Sequence, residues 1–273
     1  MPELPEVETY VRDLQRPLVG RTFTGVMAMW PNAIRPSVAV LRRDLPGRRI
    51  EALTRRGKYL QFHLSGEMYL FLHLKMSGRL LVEPAAVPPN RHVRTIFRLD
   101  NGHELRFEDA RKFGRVHLVT DPDEVTGHLG PEPLADDFTP QRFAALLEGR
   151  RGQLKPLLLN QAFIAGIGNI YADESCFRAG LHPRRRADTL SPAEQTRLYH
   201  AIRQSLTAGI THRGATFDAV YRGGEFQNHF QVYGRKGKPC PRCGTPIERI
   251  VVGGRGTHFC PRCQPEPAPA SAA

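Results

Sequence analysis

The feature of this sequence that most restricts its fold is a set of four cysteines near the end of the chain. Cys240 and Cys243 form one Cys-x-x-Cys pair, Cys260 and Cys263 form a second, and sixteen residues separate the two pairs. This spacing is typical of a tetrahedral zinc site in which four thiolates fill every position, so the zinc is structural. Two disulfides are the alternative, which an intracellular chain disfavours. The fifth cysteine, Cys176, lies in an apolar helical stretch and is expected in the core.

Size and charge narrow the class of protein and of partner. The 273 residues, 40% of them hydrophobic, are enough for two domains with a sizeable core. A net charge of +12 and a pI near 10.0 indicate a polyanionic partner, with nucleic acid the leading candidate. A basic surface that only aids solubility is the alternative. No segment approaches the ~20 apolar residues of a membrane span. The acidic N-terminus is unlike a signal peptide, so the chain is expected in the cytoplasm, with no membrane partner.

The apolar pattern changes near residue 130 and predicts an α+β chain of several domains. Before that point a helical first segment precedes runs of alternating apolar residues at 22–30, 59–64, 68–74, 94–99, 103–107 and 115–119, which predicts one helix and a β-sandwich. Beyond it the period is helical near 140–150, 153–161, 170–180 and 191–212. We therefore expect a β-sandwich domain at 1–125, a linker at 126–140, a helical domain at 141–228, a zinc hairpin at 229–264 and a disordered tail at 265–273.

Two segments of the C-terminal half carry features that suit phosphate binding. The stretch from residue 235 to residue 263 holds seven basic residues against one acid, Glu248, and places Arg255 among glycines, where a backbone can approach a ligand closely. In GIGNIYADE, residues 166–174, Asn169 stands where a helix N-cap is expected, and the amides at the start of that helix suit a phosphate. An ordinary capped helical turn is the alternative.

The first ten residues, MPELPEVETY, predict the start of a helix. Leu4, Val7 and Val11 recur at spacings of three and four, while Pro5 and Glu6 suit a first turn whose backbone donors are unpaired. In this interpretation Glu6 is an exposed acid of the first turn, and electrostatic support of a site at the terminus is the alternative role for it. The helical interpretation leaves unexplained why a proline follows the initiator methionine and a glutamate follows the proline.

Several of these stretches together resemble one enzyme family. MPELPEVET at the start, RRGKYL, DARKFG, LKPLLLNQ followed by GIGNIYADE, then VYGRKGKPC and the spaced cysteines occur in order from residue 2 to about residue 264. In this order they resemble bacterial formamidopyrimidine-DNA glycosylases. The resemblance implies a helix-two-turn-helix domain, one structural zinc ion and a nucleoid-associated monomer. The implied activity is excision of 8-oxoguanine and formamidopyrimidines from duplex DNA, followed by β,δ-elimination at the abasic site.

The resemblance also implies catalytic roles for four residues. After removal of Met1, Pro2 would attack the sugar carbon that bears the damaged base. General chemistry makes it suitable. An α-amino group has an ordinary pKa of about 8 and a lysine one of about 10.4, so a larger fraction of the terminal amine is unprotonated and nucleophilic at neutral pH. Glu3 is expected to donate a proton to the opening sugar ring. Lys58 is expected to transfer protons and contact phosphate, although a lysine between two strands is also typical of a surface. Arg255 is expected to assist the second elimination.

Further residues of the resemblance are expected to contact DNA. Three of them, called here the wedge residues, would fill the space left by the extruded base: Met76, Arg111 and Phe113. Core packing is the alternative for Met76 and Phe113, but the neighbouring glycines favour turns. His92 and Arg151 are expected to contact DNA with Arg111, and Asn169 to hold a phosphate. The chain departs from the family at Asn160 and Arg94, and the segment 212–230 only loosely resembles the family's flexible loop.

Two other functions remain open from the sequence. An endonuclease VIII-like glycosylase would share Pro2, Glu3 and the zinc hairpin but act on oxidised pyrimidines. The ELPEVE start and the wedge residues favour the purine enzyme. A zinc-dependent DNA-binding protein without catalysis would satisfy the charge and the cysteines, but it would have no use for an N-terminal secondary amine.

Overall fold

The computed structural model describes residues 1–216 and 223–266 of the chain, which divides into two compact units. The N-terminal unit is formed by Met1–His128 and Ala215–Gly224, and the C-terminal unit by Leu129–Gly214 and the residues from Glu225 onward. Within the described ranges, every helix is too short or too polar to cross a membrane. Parts of two predicted segments, 217–222 of the flexible loop and 267–273 of the tail, lie outside the described residues.

The N-terminal unit begins with a helix and continues as strands. Its elements in chain order are α1 Leu4–Leu18, β1 Phe23–Ala28, β2 Ile34–Arg35, α2 Val38–Asp44, β3 Ile50–Arg56, β4 Tyr59–Leu64, β5 Met68–His73, β6 Gly78–Pro84, β7 Val93–Leu99, β8 His103–Asp109, β9 Arg115–Val119 and α3 Asp123–Thr126. The strands form a four-stranded sheet, β1-β7-β8-β6, and a five-stranded sheet, β2-β9-β5-β4-β3. All neighbouring strands are antiparallel except β2 and β9.

The two sheets bury their inner faces in one core. Along β4, Leu60, Phe62 and Leu64 are buried while the residues between them are partly exposed, as the two-residue period of a strand requires. These side chains belong to the same apolar cluster as Phe97 and Phe107 of the other sheet. The first unit is therefore a β-sandwich, as predicted from the alternation.

Helix α1 covers part of this core because of its apolar spacing and its first turn. Val7, Val11 and Leu14 are buried in the sandwich cluster, and α1 packs against β3. At its start Glu3 and Glu6 form a capping box, in which each side chain accepts a hydrogen bond from the other residue's backbone N–H. Both features are local, which is why the sequence predicted this helix well.

The C-terminal unit contains helices followed by a hairpin. Its elements are α4 Pro140–Leu147, α5 Leu154–Leu159, α6 Asn169–Ala179, α7 Pro192–Thr211, β10 Glu248–Val252 and β11 Arg255–Phe259. Helices α6 and α7 pack closely. A Cβ atom at Gly209 of α7 would lie 2.5 Å from the ring of Tyr171 of α6, so only glycine permits this approach. The α+β class, with a sandwich, a helical domain and a zinc hairpin, is confirmed.

Candidate active site and nucleic-acid interface

The N-terminal residues of the chain are buried at the start of α1. Pro2 is buried, and Glu3 is 3% exposed. Glu6 is also buried, with 2% exposure, so the interpretation of Glu6 as an exposed acid is wrong. Its Oε2 accepts a hydrogen bond from the backbone N–H of Glu3 at 2.7 Å, and its Oε1 accepts one from Ala215 at 2.8 Å. The Ala215 donor comes from 209 positions away, so no local pattern reveals it.

Lys58 lies in the tight turn between β3 and β4, where Gly57 has a φ of 56°. It is 6% exposed, so its interpretation as a routine surface charge does not hold. Arg55 stabilises the turn, because its Nη1 donates to the carbonyl of Gly57 at 3.0 Å and its Nε pairs with Glu8 at 3.2 Å. A buried ammonium group is rare without a function or a partner.

His73, at the end of β5, is a candidate that the sequence did not reveal. Its Nδ1 accepts a hydrogen bond from the backbone N–H of Lys75 at 2.9 Å, so the neutral ring carries its proton on Nε2. Burial, together with the charges of Lys75, Lys58 and His117, lowers the pKa of His73 to about 3. The ring is therefore a neutral donor near Lys58 at physiological pH.

The wedge residues stand on two turns of the N-terminal unit, one between β5 and β6 and the other between β8 and β9. Met76 is 43% exposed and Phe113 is 46% exposed, so neither is a core residue. The guanidinium of Arg111 lies 5.2 Å from the centre of the Phe113 ring. The two turns are joined, since the backbone N–H of Arg111 donates to Oγ of Ser77 at 3.1 Å. The fold thus brings all three wedge residues to adjacent turns.

His92 lies on a third loop next to these turns. Its carbonyl accepts a hydrogen bond from the backbone N–H of Asp109 at 2.9 Å, and its own N–H donates to Oδ1 of Asn90 at 2.8 Å. Arg94, which departs from the family pattern, donates from Nε to the carbonyl of Asp109 at 2.7 Å and from Nη1 to that of Arg91 at 3.1 Å. In this chain Arg94 therefore orders the loop that carries His92.

In the C-terminal unit, Asn169 does not occupy the position expected from the sequence. Gly168 is the N-cap of α6 and Asn169 is its first residue. The Asn169 side chain reaches the hairpin instead, donating from Nδ2 to the carbonyl of Gly256 at 3.0 Å. Among the described residues its Oδ1 has no hydrogen-bond partner. This contact connects the start of α6 with the residue that follows Arg255. Arg255 itself is exposed, and so is Arg151, which lies before α5.

A buried lysine completes this connection. Lys155 of α5 is 0% exposed, and its Nζ donates to the carbonyl of Gly256 at 2.9 Å and to Oγ1 of Thr257 at 2.8 Å. It also pairs with Oδ1 of Asp173 at 2.6 Å. The other oxygen of Asp173 accepts the backbone N–H of His258 at 2.9 Å. The strand that begins with Arg255 is thus held by α5 and α6.

The four cysteines converge as a zinc site requires. Their sulfur atoms all lie within 4.8 Å of one another, with Cys240 and Cys263 3.9 Å apart and Cys243 and Cys260 3.5 Å apart. A tetrahedral ion with Zn–S bonds of about 2.3 Å places its sulfurs about 3.8 Å apart, so the donor set fits zinc. The distances are far longer than the ~2.05 Å of a disulfide, and the cysteines are free.

Comparison with known proteins identifies the family. A model of the formamidopyrimidine-DNA glycosylase N-terminal domain matches residues 1–116, a model of the H2TH domain of the same enzymes matches 129–220, and a model of a zinc finger found in FPG and IleRS matches 237–265. A formamidopyrimidine-DNA glycosylase of Chloroflexus aurantiacus is 49% identical over 97% of this chain and 98% of its own length. One of Symbiobacterium thermophilum is 48% identical over 98% and 90%. The chain belongs to the formamidopyrimidine-DNA glycosylase family.

Solved structures with the same fold contain DNA. The chain is similar to Lactococcus lactis Fpg in complex with DNA that holds an abasic site, with a TM-score of 0.91, 35% identity and coverage of 97% of this chain and 100% of that one. It is similar in the same way to the L. lactis enzyme with DNA containing N7-benzyl-Fapy-dG, with a TM-score of 0.92 and 36% identity. Pro2 and Asn169 lie in stretches shared with this family, MPELPEVET and GIGNIYADE. The family stretch LKPLLLNQ contains Lys155 but gave it no role, because its context resembles an ordinary apolar helix.

Proposed function

We propose that this protein is a DNA glycosylase and abasic-site lyase that removes 8-oxoguanine and formamidopyrimidines from duplex DNA during base excision repair. The observation that carries the proposal is a buried N-terminal Pro-Glu pair, Pro2 and Glu3, at the start of α1 in a chain of this family. Relatives with solved structures hold DNA with an abasic site, a Fapy-dG derivative or a carbocyclic 8-oxoguanine. The protein acts as a monomer in the cytoplasm, at the nucleoid.

Pro2 is the nucleophile once Met1 has been removed. Its nitrogen bonds to C1′ of the nucleotide as the C1′–N9 bond breaks, and the damaged purine leaves with a proton. Opening of the sugar then breaks the C1′–O4′ bond and leaves an iminium ion. Because the proline nitrogen carries no further hydrogen, this cation cannot be neutralised by deprotonation. It acidifies the C2′ hydrogens, so loss of a C2′ proton expels the 3′ phosphate and the glycosylase becomes a lyase.

Charged groups around the terminus move protons in these steps. Glu3 lies beside the nucleophile and donates the proton that O4′ takes up as the ring opens. Glu6 is a positioning residue, since its carboxylate receives the backbone N–H groups of Glu3 and Ala215. Lys58 supplies a buried ammonium that transfers protons and contacts a phosphate. Arg255, exposed at the hairpin, stabilises the phosphate that leaves in the second elimination.

The remaining site residues bind the duplex. His92, Arg151 and Asn169 contact the sugar-phosphate backbone, which fixes the position of the enzyme without reading sequence. Met76 and Phe113 occupy the space of the extruded nucleotide as apolar side chains, and Arg111 donates hydrogen bonds to the unpaired partner base. Their exposure on two joined turns supports this role, because extrusion costs a few kcal/mol that such contacts offset.

Zinc has a structural part in this function. Cys240, Cys243, Cys260 and Cys263 hold it, and with four thiolates it supplies a cross-link and no catalytic water. The hairpin that it stabilises carries Arg255 and is held to α5 and α6 by Lys155 and Asn169.

Reductive trapping tests the nucleophile. Incubation with an 8-oxoguanine duplex and borohydride should reduce the iminium ion to a stable covalent adduct in the parent protein, and Pro2→Gly should trap far less. Pro5→Gly is a matched control, since it alters a proline in the same turn but leaves the terminal amine intact. Equal trapping by Pro2→Gly and the parent would disprove the proposed nucleophile.

A substrate comparison tests the lesion class. Duplexes with 8-oxoguanine opposite each base should be cut faster than a duplex with thymine glycol. The reverse order would show an enzyme for oxidised pyrimidines.

A further inference from the structure

Asp109, the last residue of β8, contacts three loops at once. It is 1% exposed. Its backbone N–H donates to the carbonyl of His92 at 2.9 Å, and its carbonyl accepts from Nε of Arg94 at 2.7 Å. Its carboxylate faces the other two loops, since Oδ2 accepts the backbone N–H of Gly114 at 2.7 Å and Oδ1 accepts the hydroxyl of Ser77. Every polar group of this residue is thus used to hold a loop.

Ser77 is the link between the two turns that carry the wedge residues. Its hydroxyl donates to Oδ1 of Asp109 and accepts from the backbone N–H of Arg111 at 3.1 Å. The same N–H lies 3.2 Å from Oδ1 of Asp109. One carboxylate and one hydroxyl therefore connect the turn of Met76 with the turn of Arg111 and Phe113. Both groups are buried, so water does not compete strongly for these hydrogen bonds.

Both turns adopt backbone conformations that need such support. Lys75, directly before Met76, has a φ of 52°, and Lys112, between Arg111 and Phe113, has a φ of 61°. Residues with a Cβ rarely adopt this left-handed region, and they persist there only when the surroundings hold them. The Asp109 carboxylate receives N–H groups on either side of Lys112 and the hydroxyl two residues after Lys75.

The second turn has a further contact outside the carboxylate. Nζ of Lys112 lies 4.2 Å from the centre of the Trp30 ring, a geometry in which the ammonium is attracted to the aromatic face. Trp30 is the only tryptophan of the chain, so its fluorescence and its accessibility report on the turn of Lys112.

We infer that Asp109 and Ser77 are positioning residues that hold the two turns as one preorganised unit, and that this arrangement is what allows a damaged base to be extruded from a duplex. The inference rests on the proposed function, in which the wedge residues fill the vacated space. Turns that are already in place need no ordering when DNA binds, so the free energy of their contacts offsets the cost of unstacking the base. Neither residue takes part in the covalent steps.

The test compares a substrate that requires extrusion with one that does not. Asp109→Asn replaces one carboxylate oxygen by an amide NH2 group, which cannot accept a hydrogen bond. Ser77→Ala removes the hydroxyl that links the two turns. Both should lower excision from an 8-oxoguanine duplex, Asp109→Asn by about 10- to 100-fold. Both should cut an abasic site in single-stranded DNA within about twofold of the parent rate, because Pro2 and Glu3 are unchanged.

Asp100→Asn is the matched control. Asp100 also accepts a backbone N–H, that of Thr22 at 3.0 Å, but in an exposed turn at the opposite end of the β7–β8 hairpin. It should cut both substrates like the parent. Acrylamide quenching of Trp30 gives an independent readout. Quenching should rise in Asp109→Asn toward the value of Lys112→Ala and stay unchanged in Asp100→Asn.

Each outcome decides the inference. Equal losses on both substrates in folded Asp109→Asn would show a general defect and overturn it, as would parent-like activity on the duplex. If Asp109→Asn fails to fold, Ser77→Ala is the test. A ratio of duplex excision to single-stranded abasic-site cleavage that equals the parent's ratio in Ser77→Ala refutes the inference. Failure of the proposed function has a different signature. The parent protein would then not excise 8-oxoguanine, or a Met76→Ala, Phe113→Ala double variant would excise it from duplex DNA like the parent.

Discussion

The buried pair of Lys155 and Asp173 leads to a quantitative prediction about the C-terminal unit. Lys155→Met should lower the free energy of unfolding by about 3–5 kcal/mol. Methionine is of similar length and apolar, so it keeps most of the packing, but it leaves the Asp173 carboxylate without its cation. Both side chains are 0% exposed and 2.6 Å apart, so water cannot replace the ammonium without rearrangement of the core.

The hydrogen bonds that Lys155→Met removes give a similar estimate of the lost free energy of unfolding. Nζ of Lys155 also donates to the carbonyl of Gly256 and to Oγ1 of Thr257. Hydrogen bonds from a charged group contribute about 1.5–3 kcal/mol each. Loss of these two bonds alone corresponds to about 3–6 kcal/mol, a range that overlaps the estimate from the unpaired charge.

Urea denaturation followed by far-ultraviolet circular dichroism measures this change, because helices α5 to α7 dominate the signal of the C-terminal unit. Lys236→Met is the matched control. Lys236 is exposed, and its replacement should alter stability by no more than about 0.5 kcal/mol. The double variant Lys155→Met, Asp173→Asn should recover part of the loss, since the amide is neutral and still accepts the N–H of His258.

Two results would refute this reasoning. One is a Lys155→Met variant within about 1 kcal/mol of the parent, which would mean that the pair contributes little. The other is a double variant no more stable than the single one, which would mean that an unpaired buried charge is not the cause.

Three further predictions concern other parts of the molecule. Since the pKa of His73 is lowered to about 3, below the ordinary 6.5, the unfolded chain binds the proton more tightly. Stability should fall as pH drops below 6.5, by up to about 1.4 kcal/mol per pH unit, and His73→Gln should flatten this slope in urea titrations at several pH values. Gly114→Ala should cost about 1–3 kcal/mol in thermal or urea unfolding, because its Cβ would lie 2.3 Å from the ring of buried Phe107. Cys243→Ser should lower zinc below one ion per chain in a colorimetric assay and weaken DNA binding in a gel-shift assay, and retention of both would contradict a structural zinc.

Local patterns in the sequence predicted most of the fold. Strands such as β4 and β9 were found because their burial alternates along the strand. Helix α2, Val38–Asp44, was missed although Val38, Leu41 and Leu45 have helical spacing, since seven residues between two prolines are too few for the period to stand out. Strand β6 was missed because it begins at Gly78 and ends at Pro84, residues that usually punctuate strands. The order of strands within the sheets depends on contacts between distant residues, which no local pattern contains.

Some residues of the candidate site could likewise be predicted from local patterns, and others could not. The zinc cysteines could be predicted because their spacing expresses the geometry of the metal. Pro2, Glu3 and the wedge residues came from motifs of the family. The burial of Glu6 and the hydrogen bond between Asp109 and Ser77 could not be predicted, since each depends on a partner that the fold brings from farther along the chain. A buried charge is visible in a sequence only when its partner is a neighbour.

The hydrogen bond between Glu6 and Ala215 has a consequence for how the enzyme is made. Its two residues are 209 positions apart, and ribosomes add about 5–20 residues per second. Roughly 10 to 40 s therefore pass between synthesis of Glu6, beside the proposed nucleophile, and synthesis of the residue that donates to its carboxylate. The first part of the chain to be translated is thus among the last to mature, and a nascent polypeptide lacks the finished surroundings of its proposed catalytic end.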